Sequence, residues 1–380
     1  MSESLVSVLI PAYNHEKFIK ETIYSVVNQS YQDIELIIVD DGSCDKTLEI
    51  INGLKEICLK RFRKFNVYSQ SNKGTCQTLN RLLDLSSGDF VLFLASDDIL
   101  IRNAIELEIE KISQNMDLGL VVGINSIIDE NGVDCFWDNK LNNVYTKQEA
   151  KWFTFTQYIL EATKTDFNSP SFGSYKQLLE CNHVPNGCLI RRSVFTKIGR
   201  FTDEAPLEDY WLMLQIAKFY KFKFISEQTF KYRWHSNNSI KNTFKIQKMT
   251  LQTLDYEIKN FLSFYFKNDV LPSYKEYCYN SICNLMSDMH NLQRKYNECN
   301  CSKERILNNF NELKIRSNIL EDYLNALNEV SGIKLIFKLK KWLFNLLHKC
   351  FSKNDYLNNE TTKINSIFLK IKRYKDIFRK

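Results

Sequence analysis

Between Val6 and Asn125, short runs of β-branched and aromatic residues alternate with longer segments whose apolar residues recur at helical spacing. A parallel sheet with crossover helices demands that alternation, because its strands are covered on both faces while each connecting helix buries only one side. The expected strands are Val6 to Ile10, Glu35 to Val39, Phe65 to Ser69, Phe90 to Leu94 and Leu118 to Gly123. Segments such as Glu16 to Gln29 and Cys76 to Leu85 are expected as helices between them. This half reads as doubly wound α/β.

The next stretch, Asp134 to Cys181, is rich in aromatics and Asn with poor periodicity, and is expected to hold acceptor-side loops or short strands. A helix is expected from about Pro206 to Tyr220, its apolar face drawn from Trp211, Leu212, Leu214, Ile216 and Ala217. Two β-like runs follow, Lys223 to Ile225 and Phe230 to Trp234. After Ser239 the chain turns to Lys, Asn, Leu and Ile at helical spacing, with Pro272 and Gly332 as breakers. A total of 380 residues exceeds one small core. The expected parts are an α/β domain over 1–239, a helical extension over 240–331 and a basic amphipathic tail over 332–380.

Charge is unevenly spread. The whole chain is +6, but Gly332 to Lys380 holds 13 Lys plus Arg against Asp355, Glu360 and Asp376, so the residues before it are net acidic. Such a distribution argues against nucleic acid as a partner and for an anionic membrane surface met by the tail. The tail adds Trp342 and several Phe and Leu to its lysines, the pattern of an interfacial helix; a helix docked on the catalytic domain with a solvated basic face fits equally. Eleven scattered cysteines lack the spacing of a disulfide framework or a zinc site, and reduced thiols are expected. MSESLVSVLIPAYN has no signal-peptide pattern, and no stretch reaches the roughly 18 apolar residues of a spanning helix. The expected location is the cytoplasm, peripheral at the inner face of the cytoplasmic membrane.

Ligands of open parallel sheets bind beyond the carboxyl ends of the strands. Three polar clusters fall at that edge: Pro11, Ala12, Tyr13 and Asn14; Asp40, Asp41, Gly42 and Ser43; and Ser96, Asp97 and Asp98. Alone, Asp41-Gly42-Ser43 is equally a strand-to-helix turn, and Asp97-Asp98 could cap a helix starting near Ile101. Adjacent carboxylates repel unless a cation sits beside them, and oxygen ligands favour Mg²⁺ or Mn²⁺ completed by substrate phosphates. The pair therefore predicts a metal-bound diphosphate.

VSVLIPAYN, IIVDDGS, NKG, LNRLLDLSSGDFVLFLASDD and LEDYW, in that order, resemble the inverting family-2 glycosyltransferases of the GT-A fold. The resemblance covers roughly Leu5 to Ser239. It implies that Pro11, Tyr13, Asn14 and Asp41 hold the nucleotide, that Asp97 meets the ribose and that Asp98 binds Mn²⁺ or Mg²⁺. Two departures stand out: Ala95 where many relatives have Asp, and Leu79 where many have Arg before the Asn of the third helix. The second shifts neutralisation of the diphosphate elsewhere, with Lys73 as a candidate.

Glu208-Asp209-Tyr210-Trp211 could be an ordinary first turn of a helix, where carboxylates suit the dipole. An inverting transfer needs one carboxylate to deprotonate the acceptor hydroxyl, and by resemblance that base is Asp209. His235, in YRWHSNNS, could be a surface histidine; by resemblance it joins the metal. His183 and Asn186, in NHVPNG, are associated with acceptor or donor sugar by position alone. The implied reaction moves a sugar from a nucleotide-diphosphate donor, dTDP-rhamnose or a UDP-hexose, to a hydroxyl of a lipopolysaccharide, capsule or lipid-linked acceptor. A sugar-phosphate nucleotidyltransferase should carry a Gly-rich, basic phosphate loop after the first strand, which PAYNHEKF is not. A nucleotide-sugar-binding relative without turnover would have no need of Asp209.

Overall fold

The computed structural model describes residues 4–261. The expected basic tail and nearly all of the expected helical extension lie outside the described residues.

The chain opens with β1 (Val6–Ala12), α1 (Ile19–Val27), β2 (Ile34–Asp40), α2 (Thr47–Gly53), α3 (Lys55–Arg61), β3 (Lys64–Ser69), α4 (Thr75–Leu85) and β4 (Phe90–Phe93). These four strands pair in parallel in the order β3-β2-β1-β4. The sequence expectation for this half matches to within a few residues at each end. Val6, Val8, Leu9 and Ile10 are wholly buried, as are Ile34 and Leu36 to Val39, because helices cover both faces. On α1 the buried positions Ile19, Thr22, Ile23 and Val26 follow helical spacing.

Next come β5 (Ile99–Leu100), α5 (Ala104–Ser113), β6 (Leu118–Ile128), β7 (Asp134–Trp137), β8 (Asn143–Val144), α6 (Phe155–Thr163), α7 (Tyr175–Glu180), β9 (Leu189–Arg191), α8 (Phe195–Ile198), α9 (Glu208–Ala217), β10 (Lys221–Arg233) and α10 (Thr243–Phe261). The sheet continues β4-β9-β6-β10-β5. β9 runs antiparallel to both neighbours, β6 and β10 are parallel, and β5 closes the edge antiparallel to β10. The alternative that Asp97 and Asp98 cap a helix near Ile101 drops out here: Ile99 and Leu100 pair with Lys231 and Phe230 as a strand, and α5 begins at Ala104. The two β-like runs after α9 are one strand, whose register slips between Phe224 and Gln228 and again before Phe230. Polar Ser226, Glu227 and Gln228 interrupt the apolar pattern at that bulge.

A short 3₁₀ turn, Ser239–Lys241, follows β10. Beyond it α10 packs back on α9: the Thr253 hydroxyl accepts from Leu207 N at 3.0 Å, and Glu257 pairs with Lys218 at 2.5 Å. Among the described residues no helix is long and apolar enough to cross a membrane. Cys44, Cys58, Cys76, Cys135, Cys181 and Cys188 are all free thiols.

Candidate active site

With β1 to β4, β6 and β10 pointing the same way, their carboxyl ends form one rim, and β9 brings its preceding loop to that rim because it runs the other way. Pro11 lies inside β1, opposite Val39, rather than in the loop after it. Tyr13 is exposed beyond the strand. Asn14 adopts the left-handed region, φ 51°, which Asn tolerates better than most residues. There its side-chain oxygen accepts from Cys44 N at 2.8 Å, and its own N–H donates to Ser43 Oγ at 2.9 Å. The loops after β1 and β2 are thereby stitched together.

Asp41 organises a third loop. Its Oδ1 accepts from Lys73 N and from Gln70 Nε2, both at 2.8 Å, and its Oδ2 from Gly74 N at 3.0 Å. Gly42 next to it has φ +77°, and a Cβ there would come within 2.8 Å of Asn72 N, so the loop can close only over glycine. Lys73 thus contributes its backbone to Asp41 while its side chain stays exposed. Arg81 reaches the same loop, donating to Gln70 Oε1 at 2.7 Å. A guanidinium is therefore present at this end, from the position after Asn80 rather than before it.

The carboxylate pair divides its work. Asp98 is buried, and its Oδ1 accepts from Arg233 N at 2.8 Å. Burial and the adjacent Asp97 charge push its pKa well above the usual carboxylate range. Asp97 faces the rim instead, its Oδ2 at 2.9 Å from His235 Nε2. Burial raises the Asp97 pKa, but the His235 hydrogen bond and the nearby rings of His15 and His235 outweigh it and hold the pKa below its ordinary value.

His15 completes the group. It sits in the turn that starts α1, and its Nδ1 lies 2.7 Å from Ser96 Oγ. One ligand atom each of His15, Asp97 and His235 lies within 4.8 Å of the others. Two imidazoles and a carboxylate suit a borderline divalent cation such as Mn²⁺, and the donor set fits the expected metal. The set contains Asp97 and not Asp98, because the Asp98 carboxylate is turned inward to the β10 backbone. Burial lowers the His15 pKa, which keeps the ring in the neutral form a metal requires.

Arg233, which the sequence reading passed over, fixes this arrangement. It is wholly buried, with Nε donating to Asp97 O at 2.6 Å, Nη1 to Asp129 O at 3.2 Å and Nη2 to Glu21 Oε2 at 2.6 Å. Its guanidinium also lies 5.1 Å from the centre of the Phe18 ring, and Phe18 stands 4.8 Å from His235. The one sequence signal was the place of Arg233 two residues before His235.

Asp209 lies in the first turn of α9, its Oδ1 accepting from Tyr210 N at 2.6 Å. Solvent reaches it, yet the surrounding protein desolvates the carboxylate enough to raise its pKa. Glu208 beside it is pushed up to about 7 by burial and by the Asp209 charge. The buried Tyr232 hydroxyl links this helix with the carboxylate pair: after burial, the charges of Asp98, Asp97 and Asp209 each raise its pKa. His183 is buried, its Nδ1 facing Cys181 O at 3.1 Å, and burial drives its pKa down to about 4. Asn186 exchanges backbone hydrogen bonds with the Asn125 side chain and so anchors its loop to β6.

Residues 7–181 match the family model described as glycosyl transferase family 2. Those residues carry a family-2 glycosyltransferase domain. An uncharacterized glycosyltransferase of Haemophilus influenzae is 34% identical to this domain's chain over 157 residues, 41% of this chain and 59% of the relative. The UDP-Glc:alpha-D-GlcNAc-diphosphoundecaprenol beta-1,3-glucosyltransferase WfgD of Escherichia coli is 35% identical over 133 residues, 35% of this chain and 50% of that protein. The chain thus spans half to three-fifths of the length of these relatives. The structure of the mannosyltransferase PcManGT from Pyrobaculum calidifontis, in complex with GDP-Man and Mn2+, superposes with a TM-score of 0.51 at 13% identity, covering 99% of this chain and 88% of that one. The glycosyltransferase domain has the GT-A fold expected for it.

Proposed function

We propose that this glycosyltransferase is metal-dependent and inverting, and that it moves a hexose from a nucleoside diphosphate to a hydroxyl of a surface or lipid-linked glycan. One observation carries the proposal: His15, Asp97 and His235 converge at the strand-end rim, each offering a ligand atom within 4.8 Å of the others.

Asp41 and the loops it clamps offer a preformed cleft for the nucleotide, with Tyr13 exposed to cover the base and Pro11, Asn14 and Lys73 lining the approach. Asp97, His235 and His15 would hold Mn²⁺ or Mg²⁺, which supplies charge stabilisation to the departing diphosphate. Asp209 accepts the proton of the acceptor hydroxyl as that oxygen attacks the anomeric carbon from the side opposite the leaving group. Its raised pKa makes it a better base than an ordinary aspartate. No enzyme nucleophile enters a single displacement.

UDP-glucose is the first donor to test, because WfgD is named for it and for an undecaprenol-linked acceptor; dTDP-rhamnose belongs in the same panel. A lipid-linked acceptor would place the protein at the inner face of the membrane, where the basic tail meets anionic lipid. Purified protein is incubated with each nucleotide sugar and Mn²⁺ or Mg²⁺, and nucleoside diphosphate release is recorded with and without glycolipid extract. EDTA-sensitive release from one donor is expected. No release from any donor, with nucleotide still bound, would turn the assignment to a binding protein.

A further inference from the structure

The N-terminal end of α9 lacks the usual cap. Leu207 stands at the position where Ser, Thr, Asp or Asn would normally accept from the first turn, and it has no side-chain acceptor. A different helix supplies an acceptor just ahead of the first turn: the wholly buried Thr253 of α10 accepts from Leu207 N at 3.0 Å. One turn further along α10, Glu257 is also wholly buried and gathers three donors. It accepts from Gln215 Nε2 at 2.6 Å and from Tyr175 OH at 2.7 Å, and pairs with Lys218 Nζ at 2.5 Å. Residues 253 and 257 share one face of α10, and between them they hold both ends of α9.

A buried ion pair is a costly way to gain stability, since an apolar contact of similar size does as well; what it adds is a single permitted register. Burial brings the Lys218 pKa down to about 8 even with Glu257 alongside. Lys245 of α10 also acts on this end, opposing the upward shift of Glu208.

We propose that α10 is a positioning element for Asp209, with Thr253 and Glu257 as the positioning residues that set the angle of α9 toward the acceptor. The proposal rests on Asp209 being the base. The geometry a base requires is narrow, and a displacement of about 1 Å can cost on the order of 100-fold in rate. The nucleotide and metal groups stand at the ends of β1 to β4 and β10, and the hydrogen-bond partners of His15, Asp41, Asp97 and Asp98 lie outside α10.

The test uses the full chain carrying Thr253→Val, which keeps the shape and removes the acceptor, with Thr253→Ser as the conservative rescue and Asp209→Asn as the control. Thr253→Val is expected to lower kcat by about tenfold while the UDP dissociation constant stays put, and Thr253→Ser is expected to restore kcat. Hydrogen exchange gives a second readout that needs no turnover: amides 207–211 should exchange faster in Thr253→Val while those of β1 and β2 keep their protection. Wild-type exchange at 207–211 in Thr253→Val overturns the proposal. So does wild-type kcat in Thr253→Val alongside an inactive Asp209→Asn, or a parallel loss of kcat and UDP affinity that Thr253→Ser leaves unrepaired. Full activity in Asp209→Asn would instead remove the base assignment, and the positioning role with it.

Discussion

Asp97 Oδ2 and His235 Nε2 meet at 2.9 Å although 138 positions separate them in the chain. That contact brings the loop after β4 against the end of β10, and with His15 it makes the one candidate cation group found among the described residues. Asp97→Asn and His235→Ala are each expected to weaken Mn²⁺ binding at least as much as loss of an outer-shell partner does, about 10- to 100-fold. Asp98→Asn keeps an acceptor for Arg233 N and should bind Mn²⁺ nearly as the wild type does. Electron paramagnetic resonance of titrated Mn²⁺ reads all three; the reverse pattern would return the ligand role to Asp98.

The Glu208 and Asp209 carboxylates titrate as a pair, both raised by burial, with Glu208 at about 7. A base must be deprotonated to work, so kcat should begin to fall at a higher pH than an ordinary aspartate would give. The Asp209 charge raises Glu208, whereas burial is what raises Asp209, so Glu208→Gln should leave that acid limb in place. Asp209→Asn should lose roughly 10²- to 10⁴-fold in kcat at every pH. Rate profiles between about pH 5 and 9 check both, and a limb that moves in Glu208→Gln would show that the Glu208 charge, not burial, sets it.

Removing the Asp41 side chain should unpin residues 70–74. Three hydrogen bonds to a carboxylate vanish, leaving the Lys73 and Gly74 amides to solvent. Asp41→Ala is expected to cost about 2 to 4 kcal/mol of stability in urea unfolding, together with most of the nucleotide affinity. Loss of affinity at unchanged stability would mean that Asp41 contacts the nucleotide without organising the loop.

Glu108 on α5 is wholly buried, and neither carboxylate oxygen has a hydrogen-bond partner. Burial raises its pKa well above the ordinary 4.5, against a small opposing effect of the nearby Thr229 hydroxyl. The folded state therefore holds this proton more tightly than the unfolded chain does. Its stabilising contribution is complete below the ordinary value and is lost as pH rises through the raised one. Glu108→Gln should flatten the decline of Tm on the alkaline side; an identical slope in wild type and variant would show that the group does not control it.

β1 to β4 were legible because each is a short apolar run buried on both faces. Two departures have physical causes. β10 could not be read as one strand, since Ser226 to Gln228 form a polar bulge within it. The reversed direction of β9 leaves no trace in a three-residue run, Leu189–Arg191. At the site, Asp97, Asp209 and His235 stood out by motif. His15 reads as any turn residue before a helix, and only tertiary folding brings its ring to 6.1 Å from that of His235. Arg233 and Glu35 look like solvent-facing charges by residue type, yet both are buried because main-chain and side-chain partners satisfy them: Asp97, Asp129 and Glu21 for the arginine, Ser7, Ser87 and Gly88 for the glutamate.

β6 and β9 are adjacent strands, and the chain leaves the first at Ile128 and returns on the second at Leu189. Leu189 lies opposite Val121 near the start of β6, so the segment between leaves from the far end of that strand, where Ile127 and Ile128 pair with β7. Asn125 holds its return through Asn186, and its helix α7 is tied to α9 and α10, with Leu178 O accepting from Tyr210 OH and Tyr175 OH donating to Glu257. Such a segment is a relay: a change within it would reach Asp209 through α9 while Asp41, Asp97 and His235 kept their places.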